Sequence, residues 1–426
     1  MEKFNIAGIE INRVSFFELF FNKTMFLAYI LLAFGVFGIY EIILERYFLL
    51  TANAFDAGLH QGSKDVALAM REAIFGAGGE VKRESPWSLY IVNYMYMIYT
   101  GSGIIFLVTL AELVNFEILK KRAAGFLTLG LAMVFAGLFT IIFDLNMLNM
   151  QWMLLTPNIG SGMWLMLPLY LIYIPFVMFE IYLLLTDNKK LVKKIALVIL
   201  VVGIFIDIAE YYIQAKLFDM NTARHLWTTY PNLPLYFILS SFLAAVGVMI
   251  LYSFIAYKNN SKDDFDLLLR TLRRLALILI FVIAFYEAVS FLFIDKKWAS
   301  VILFEGFAYQ FYLYIVLAIV LPLLTIVFQL IRRNVNNFLM IFMSLSIIIG
   351  SYISRYIFVY GGNAYPMSDR FGTGFQKYSE YEIINSFIYN IPPISEICIV
   401  IGSFGVAIAV YKIFDSLLSV SKVREH

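Results

Sequence analysis

Ten runs of about 20 predominantly apolar residues divide this chain, and a run of that length is what a helix needs to cross a bilayer. They fall at roughly 25–44, 89–113, 126–148, 163–185, 195–217, 235–257, 276–294, 310–331, 338–360 and 395–418. Inside lipid every backbone N–H and C=O must be satisfied within the protein, so each run is expected to be a helix. Composition agrees. Apolar residues make up 62% of the 426 and charged residues 15%, against about 25% charged in a soluble domain. Mean hydropathy is +0.82. The sequence reads as an all-α polytopic membrane protein with ten transmembrane helices, and an even number places both termini on one side.

Positive charge sets the orientation. Twenty of the 32 lysines and arginines lie on the terminal side, in short connections such as Lys120–Arg122, Lys189–Lys194 and Arg332–Arg333. Short cytoplasmic segments collect positive charge, so the termini are expected in the cytoplasm, with the chain in the inner membrane. The opening residues mix charge with apolar side chains, unlike a cleavable signal, and Val14–Phe21 is expected on the membrane surface. The opposite, outer side carries the two longest loops, 45–88 and 361–394. Long ordered loops commonly bind, so these are expected to dock a partner. A net charge of +2 gives no reason to expect nucleic acid.

The runs repeat. Ser88-Leu89-Tyr90 leads to Gly101, and Pro234-Leu235-Tyr236 leads to Gly247 after the same interval. Gly203-Ile204-Phe205-Ile206-Asp207 has a counterpart in Gly350-Ser351-Tyr352-Ile353-Ser354. Helices 2–5 therefore resemble helices 6–9 in parallel orientation. The expected divisions are an N-terminus at 1–24, the first helix and outer loop at 25–88, a first four-helix bundle at 89–217, a second at 218–362, and an outer loop, tenth helix and tail at 363–426.

An ionisable group at the bilayer centre costs roughly 2.5–3.5 kcal/mol, so such groups are expected to face a cavity or a partner. Glu41, Asp144, Asp207, Glu210 and Glu287 fall in the outer halves of their helices. Asp207 and Glu210, three apart, share a helix face. Asn93, Tyr96 and Thr100 form a stripe on helix 2. With Asp144, Asp207 and Glu210 as acid–base groups, this stripe is expected to wall one polar pocket near the outer side. Glu112 and Glu180, on the terminal-side halves, are expected to pass protons towards it. In the second repeat Leu239 stands for Asn93 and Ser354 for Asp207, so that half is expected to be structural. Glu41 is expected to be a hydrated acid at the membrane surface, and for Asp144 that reading stands beside the pocket.

Other chemistries lack their residues. Cys398 is the sole cysteine, and His60, His225 and His426 all lie outside the spans. A haem held between helices by histidine pairs, and a cysteine-ligated iron–sulfur cluster, are therefore not expected. No GxxxxGK[ST] phosphate loop occurs.

Phe143-Asp144-Leu145, followed by Trp152, Pro157-Asn158, Ser161 and Met163-Trp164, resembles the connection between the third and fourth helices of the NrfD/PsrC (polysulfide reductase membrane subunit) family. Pro86-Trp87-Ser88-Leu89-Tyr90-Ile91, and Leu226-Trp227 with Pro231, Pro234 and Tyr236–Ser240, look like the family's approaches to its two bundles. Arg355-Tyr356, Gly361-Gly362 and Tyr365-Pro366 are similar to the end of the ninth helix in long, ten-helix members, which include membrane subunits of hydrogenases, sulfate-reducer redox complexes and alternative complex III. The resemblance spans about 86–366. Asn146-Met147-Leu148-Asn149 departs from it where Gly-Arg-Pro-x-Arg is usual.

The resemblance implies two four-helix bundles with no haem or cluster of their own. It implies a quinone, menaquinone or ubiquinone, in the first bundle near the outer face. It also implies an outer ferredoxin-like iron–sulfur subunit exchanging electrons with that quinone, and further catalytic or cytochrome subunits. On this reading Asn93, Tyr96 and Thr100 hold the quinone oxygens, Asp144 or the Asp207/Glu210 pair exchanges protons, and the chain is not catalytic alone. Two other classes fit the residues: a secondary transporter coupled to its intramembrane acids, and a purely structural anchor.

Overall fold

In the computed structural model the described residues are 3–6, 8–56, 87–144, 155–186, 189–220, 224, 226–228, 232–259, 261–293, 300–333, 335–364, 389 and 391–424. Most of both long loops, His60, His225 and the stretch from Leu145 to Trp152 lie outside them.

The long helices are α1 (Lys23–Asp56), α2 (Leu89–Leu113), α3 (Ala123–Asp144), α4 (Gly162–Leu185), α5 (Lys189–Asp219), α6 (Leu233–Ala256), α7 (Lys262–Phe293), α8 (Ala308–Ile331), α9 (Asn337–Ala364) and α10 (Ile394–Leu418). Among the described residues nine of them are long and apolar enough to cross a membrane. The seventh apolar run, 276–294, lies on α7, which is not one of those nine. That helix starts well before its apolar run, because Asp263 and Asp264 in its first turn suit the positive end of the helix dipole. A short antiparallel hairpin, β1 (Lys3–Ile6) and β2 (Ile9–Asn12), precedes α1. Lys3 pairs with Glu10 across it, which holds the exposed Glu10 carboxyl below its usual range. Asn12 donates to Ser416 O and Ser419 Oγ, so the two ends of the chain meet on one face.

Packing follows the repeat. In the first half α2 packs on α3 and α5, and α4 on α3 and α5; in the second α6 packs on α7 and α9, and α8 on α7 and α9. The halves meet chiefly through α2 and α6, while α10 packs on α1 and α3. Small residues allow the closest approaches. A Cβ on Gly101 would lie 2.6 Å from Gly130 O, and one on Gly402 would lie 2.5 Å from Gly35 Cα. The outer surfaces of α4, α5, α7 and α9 expose Leu171, Phe205, Phe285 and Phe338, as lipid-facing helices do.

Among the described residues three stretches wind as π-helix: Ile302–Gly306, Ile315–Val320 and Ile357–Gly361. The second runs directly into Pro322, whose ring clashes with the carbonyl four residues back and removes an N–H donor. Gly350 supplies the room, since a Cβ there would lie 2.6 Å from Ala318 N. In the third, Phe358 O accepts from Trp227 Nε1 at 2.7 Å, and Gly362 lets the indole lie against the backbone.

Candidate functional site

Helix α2 is the centre of the first half. Ser88 caps it, accepting from Tyr90 N, and Glu396 from α10 accepts from Leu89 N at 3.0 Å. Beyond that cap its most hydrophobic stretch is buried on every side, as expected of a helix apolar all round. Every face of α2 therefore meets a neighbour, and a polar stripe on it can point at any of them.

The face that meets α4 and α5 carries Tyr94. Its hydroxyl is 3.2 Å from that of Tyr170, which donates to Glu210 Oε1 at 3.0 Å. Gln214 Nε2 bonds both Tyr170 Oη, at 2.7 Å, and Glu210 Oε1, at 2.9 Å. Tyr170 has one proton and gives it to Glu210, so Tyr94 is the donor in the first bond. The result is a directed line, Tyr94 to Tyr170 to Glu210, clamped by Gln214. Two further hydroxyls lie beside the acid pair, Ser102 next to Glu210 and Tyr173 next to Asp207. Asp207 and Glu210 share one buried face of α5, as their spacing predicts.

This cluster meets a cavity between α2, α3, α4 and α5 through Tyr94 and Gln214. Tyr94 and Gln214 line it, with Trp87, Ile91, Ile141, Met163, Met166, Leu217 and Phe218 as an apolar lining and Asp144 among them. An apolar cavity with a few convergent polar groups is the usual form of a small-molecule site. Gln214 and Tyr94 bring polar atoms to it, and Trp87 and Phe218 bring aromatic rings.

Towards the terminal side the carboxyls continue. Glu180 is an electrostatic neighbour of Asp207, and Glu112 of Glu180. Thr109 donates to Glu180 Oε1 at 2.9 Å. Glu112, Glu180, Asp207 and Glu210 thus follow one another through the first bundle, all buried.

The predicted stripe lies elsewhere. Asn93 Nδ2 donates to Thr140 Oγ1 and Ser403 Oγ, both at 2.9 Å, so it turns to α3 and α10. Tyr96 packs edge-on against Tyr352 of α9, with ring centroids 5.1 Å apart. Thr100 is buried but makes no hydrogen bond to the acid pair. These residues do not wall a pocket with Asp207 and Glu210. Tyr94, Tyr170 and Gln214 take that place, and only Gln214, four residues after Glu210 on the same face, was signalled by spacing. Glu41 is half-buried on α1. The second half is also less bland than Leu239 and Ser354 suggest, for Glu287 and Arg355 are buried within it. Among the described residues no cluster of metal-ligating side chains occurs.

Fold and site together define a multi-pass α-helical membrane protein with a polar centre inside its first bundle. The sequence profile of the family described as Polysulphide reductase, NrfD, matches residues 80–366. The chain belongs to that family, whose members are membrane subunits generally associated with quinone-linked redox complexes and typically paired with iron–sulfur subunits. No individually curated protein matches it.

Proposed function

We propose that this protein is the quinone-reactive membrane subunit of a respiratory oxidoreductase complex in the inner membrane, with both termini in the cytoplasm. The observation that carries the reading is the apolar cavity ending on the Tyr94–Tyr170–Glu210 line. A quinol or quinone supplies a two-electron, two-proton couple when bound. The chain's own residues handle position and protons. Trp87 and Phe218 flank the ring, and Gln214 Oε1 and Tyr94 Oη accept from the hydroxyls of its quinol form. Tyr94 passes a proton to or from Tyr170, and Tyr170 exchanges it with Glu210 at Oε1, the oxygen it bonds. Asp144 serves the second oxygen from the rim. Asp207, Glu180 and Glu112 extend the route towards the terminal face. Electrons cross to an iron–sulfur partner docked on the outer loops.

The test is quinol-dependent electron transfer in membranes, normalised to assembled complex, together with the quinone retained by the purified protein. Gln214→Leu removes both hydrogen bonds of the clamp and is expected to lose retained quinone. Glu210→Gln keeps the shape and is expected to retain quinone while slowing transfer by about 10²–10⁴-fold, the usual effect of an acid–base group. Wild-type behaviour in both variants would rule out this cavity.

A further inference from the structure

The second bundle contains a polar centre that the quinone reading does not use. Two small adjoining cavities share Tyr314 and Ser354 in their walls. Glu287 of α7 lines the first and Arg355 of α9 the second. Both side chains are buried, at 8% and 3% exposure, in the outer halves of their helices. Arg355 Nη2 donates to Ser240 Oγ at 2.7 Å, and its guanidinium lies 4.9 Å from the ring centre of Tyr99 and 5.5 Å from that of Phe237. Arg355 Nη1 has no hydrogen-bond partner among the described residues. Tyr236 bonds Ser354 across the same space at 3.1 Å.

All three π-helical stretches converge here. Leu303 of the first lines the Glu287 cavity, Tyr314 directly precedes the second, and Ile357 and Phe358 belong to the third. Such turns concentrate at functional sites, because they re-aim side chains at the cost of regular hydrogen bonding. A buried guanidinium is costly in a membrane interior unless charge and hydrogen bonds answer it. Each cavity has room for about one water, and both are polar enough to hold it.

We propose that the second bundle holds a hydrated proton-exchange site in which the Glu287 carboxyl takes up and releases a proton through water, with Arg355 as its fixed counter-charge. In uptake, an O–H bond of a hydronium in the cavity breaks and one forms at a Glu287 oxygen. Water is left behind, and the net charge of the pair rises from zero to +1. Release reverses this, with no oxidant or reductant. The groups around Glu287 are Tyr286 on its own helix, Tyr236 of α6, Tyr314 of α8 and Ser354 of α9, with Arg355 of α9 in the adjoining cavity across Tyr314 and Ser354. The hydroxyls relay or orient the water, and Arg355 is the only full charge among them. This makes the second bundle a chemical participant rather than a duplicate kept for packing.

The test uses the full-length protein reconstituted in lipid, without quinone or partners, so its outcome is independent of the quinone reading. Infrared difference spectra across a pH change, in H₂O and D₂O, report protonated carboxyls and their exchange. A carboxyl C=O band that shifts in D₂O is expected in the wild type. It should vanish in Glu287→Gln, move but persist in Glu287→Asp, and survive Glu210→Gln and Asp207→Asn. Arg355→Gln is expected to change its amplitude at neutral pH at least about threefold, since removing a neighbouring opposite charge shifts a carboxyl's protonation equilibrium. Loss of the band in Glu210→Gln instead, or Glu287→Gln spectra that superimpose on wild type at every pH, would overturn the proposal. So would an Arg355→Gln protein with an unchanged band. Should Glu287→Gln not fold, Glu287→Asp decides by the position of its band.

Discussion

The Tyr211 hydroxyl lies 2.7 Å from Ser241 Oγ, joining α5 of the first bundle to α6 of the second. It also donates to Tyr99 O on α2, at 3.2 Å. One phenol therefore ties together three helices beside the acid pair, since Tyr211 follows Glu210 in the chain. Ser241 has a second acceptor in Ile238 O, at 2.7 Å, so it is not orphaned when the phenol is removed. Tyr211→Phe is accordingly expected to cost about 0.5–1.5 kcal/mol, the net value of an ordinary hydrogen bond. Thermal unfolding in detergent measures this. Electron transfer should stay near wild type, and a loss as large as that of Glu210→Gln would put Tyr211 on the proton route itself.

Tyr170 offers a graded test of that route. Tyr170→Phe removes the donor to Glu210 and breaks the line from Tyr94, yet Gln214 still holds the carboxylate. Turnover is expected to fall about tenfold, equivalent to roughly 1.4 kcal/mol in the barrier. Retained quinone should be unchanged, because Tyr170 does not line the cavity. Tyr94→Phe should match it in rate. A Tyr170→Phe enzyme faster than Tyr94→Phe by more than a few-fold would mean that protons bypass Tyr170.

Asn93 now carries a structural prediction. Its amide bridges Thr140 and Ser403, and so pins α10 to α2 and α3. Asn93→Leu strands neither partner, since Thr140 donates to Ala136 O and Ser403 to Val400 O. The cost is then the lost bonds and the fit of a branched side chain, about 1–3 kcal/mol. The expected result is a lower unfolding temperature with quinone retention intact. A stable variant that sheds quinone would restore the expectation drawn from the sequence stripe.

Much of this architecture was legible in the chain because lipid leaves few choices. The run 89–113 gave α2 to the residue, since Ser88 caps one end and the apolar stretch stops at Leu113. Asp207 and Glu210 were legible as a pair because helical spacing fixes their common face. Tyr94 was not, because α2 is buried all round and periodicity cannot rank its faces. Choosing Asn93, Tyr96 and Thr100 selected a real polar set on the wrong side. Tyr170 sits in a helix where the sequence singles out Glu180 alone for proton transfer, and tyrosines in spans do not announce a partner. The π turns had one local cue, Pro322, and otherwise depend on contacts such as Trp227 with Phe358 that no spacing encodes. Arg355 was noticed only as a motif residue, since its burial among Tyr99, Tyr236 and Phe237 needs the fold.

The orientation and the partner-facing side can be tested together. The sole native cysteine, Cys398, is buried, so an introduced cysteine reports with little background. Ile391, 91% exposed just before α10, lies on the face opposite the termini. Lys258 lies after α6 on the terminal face. In intact cells an impermeant maleimide is expected to label Ile391→Cys and not Lys258→Cys, reversing only when inverted membranes are used. The basis is the excess of lysine and arginine on the terminal side. The same two positions then carry a short photo-crosslinker in purified complex. Ile391→Cys should capture an iron–sulfur subunit, and Lys258→Cys should not. Labelling of Lys258→Cys from outside would invert the topology. Capture of the iron–sulfur subunit from Lys258→Cys alone would place the electron path on the terminal face, away from the cavity that Trp87 and Asp144 line.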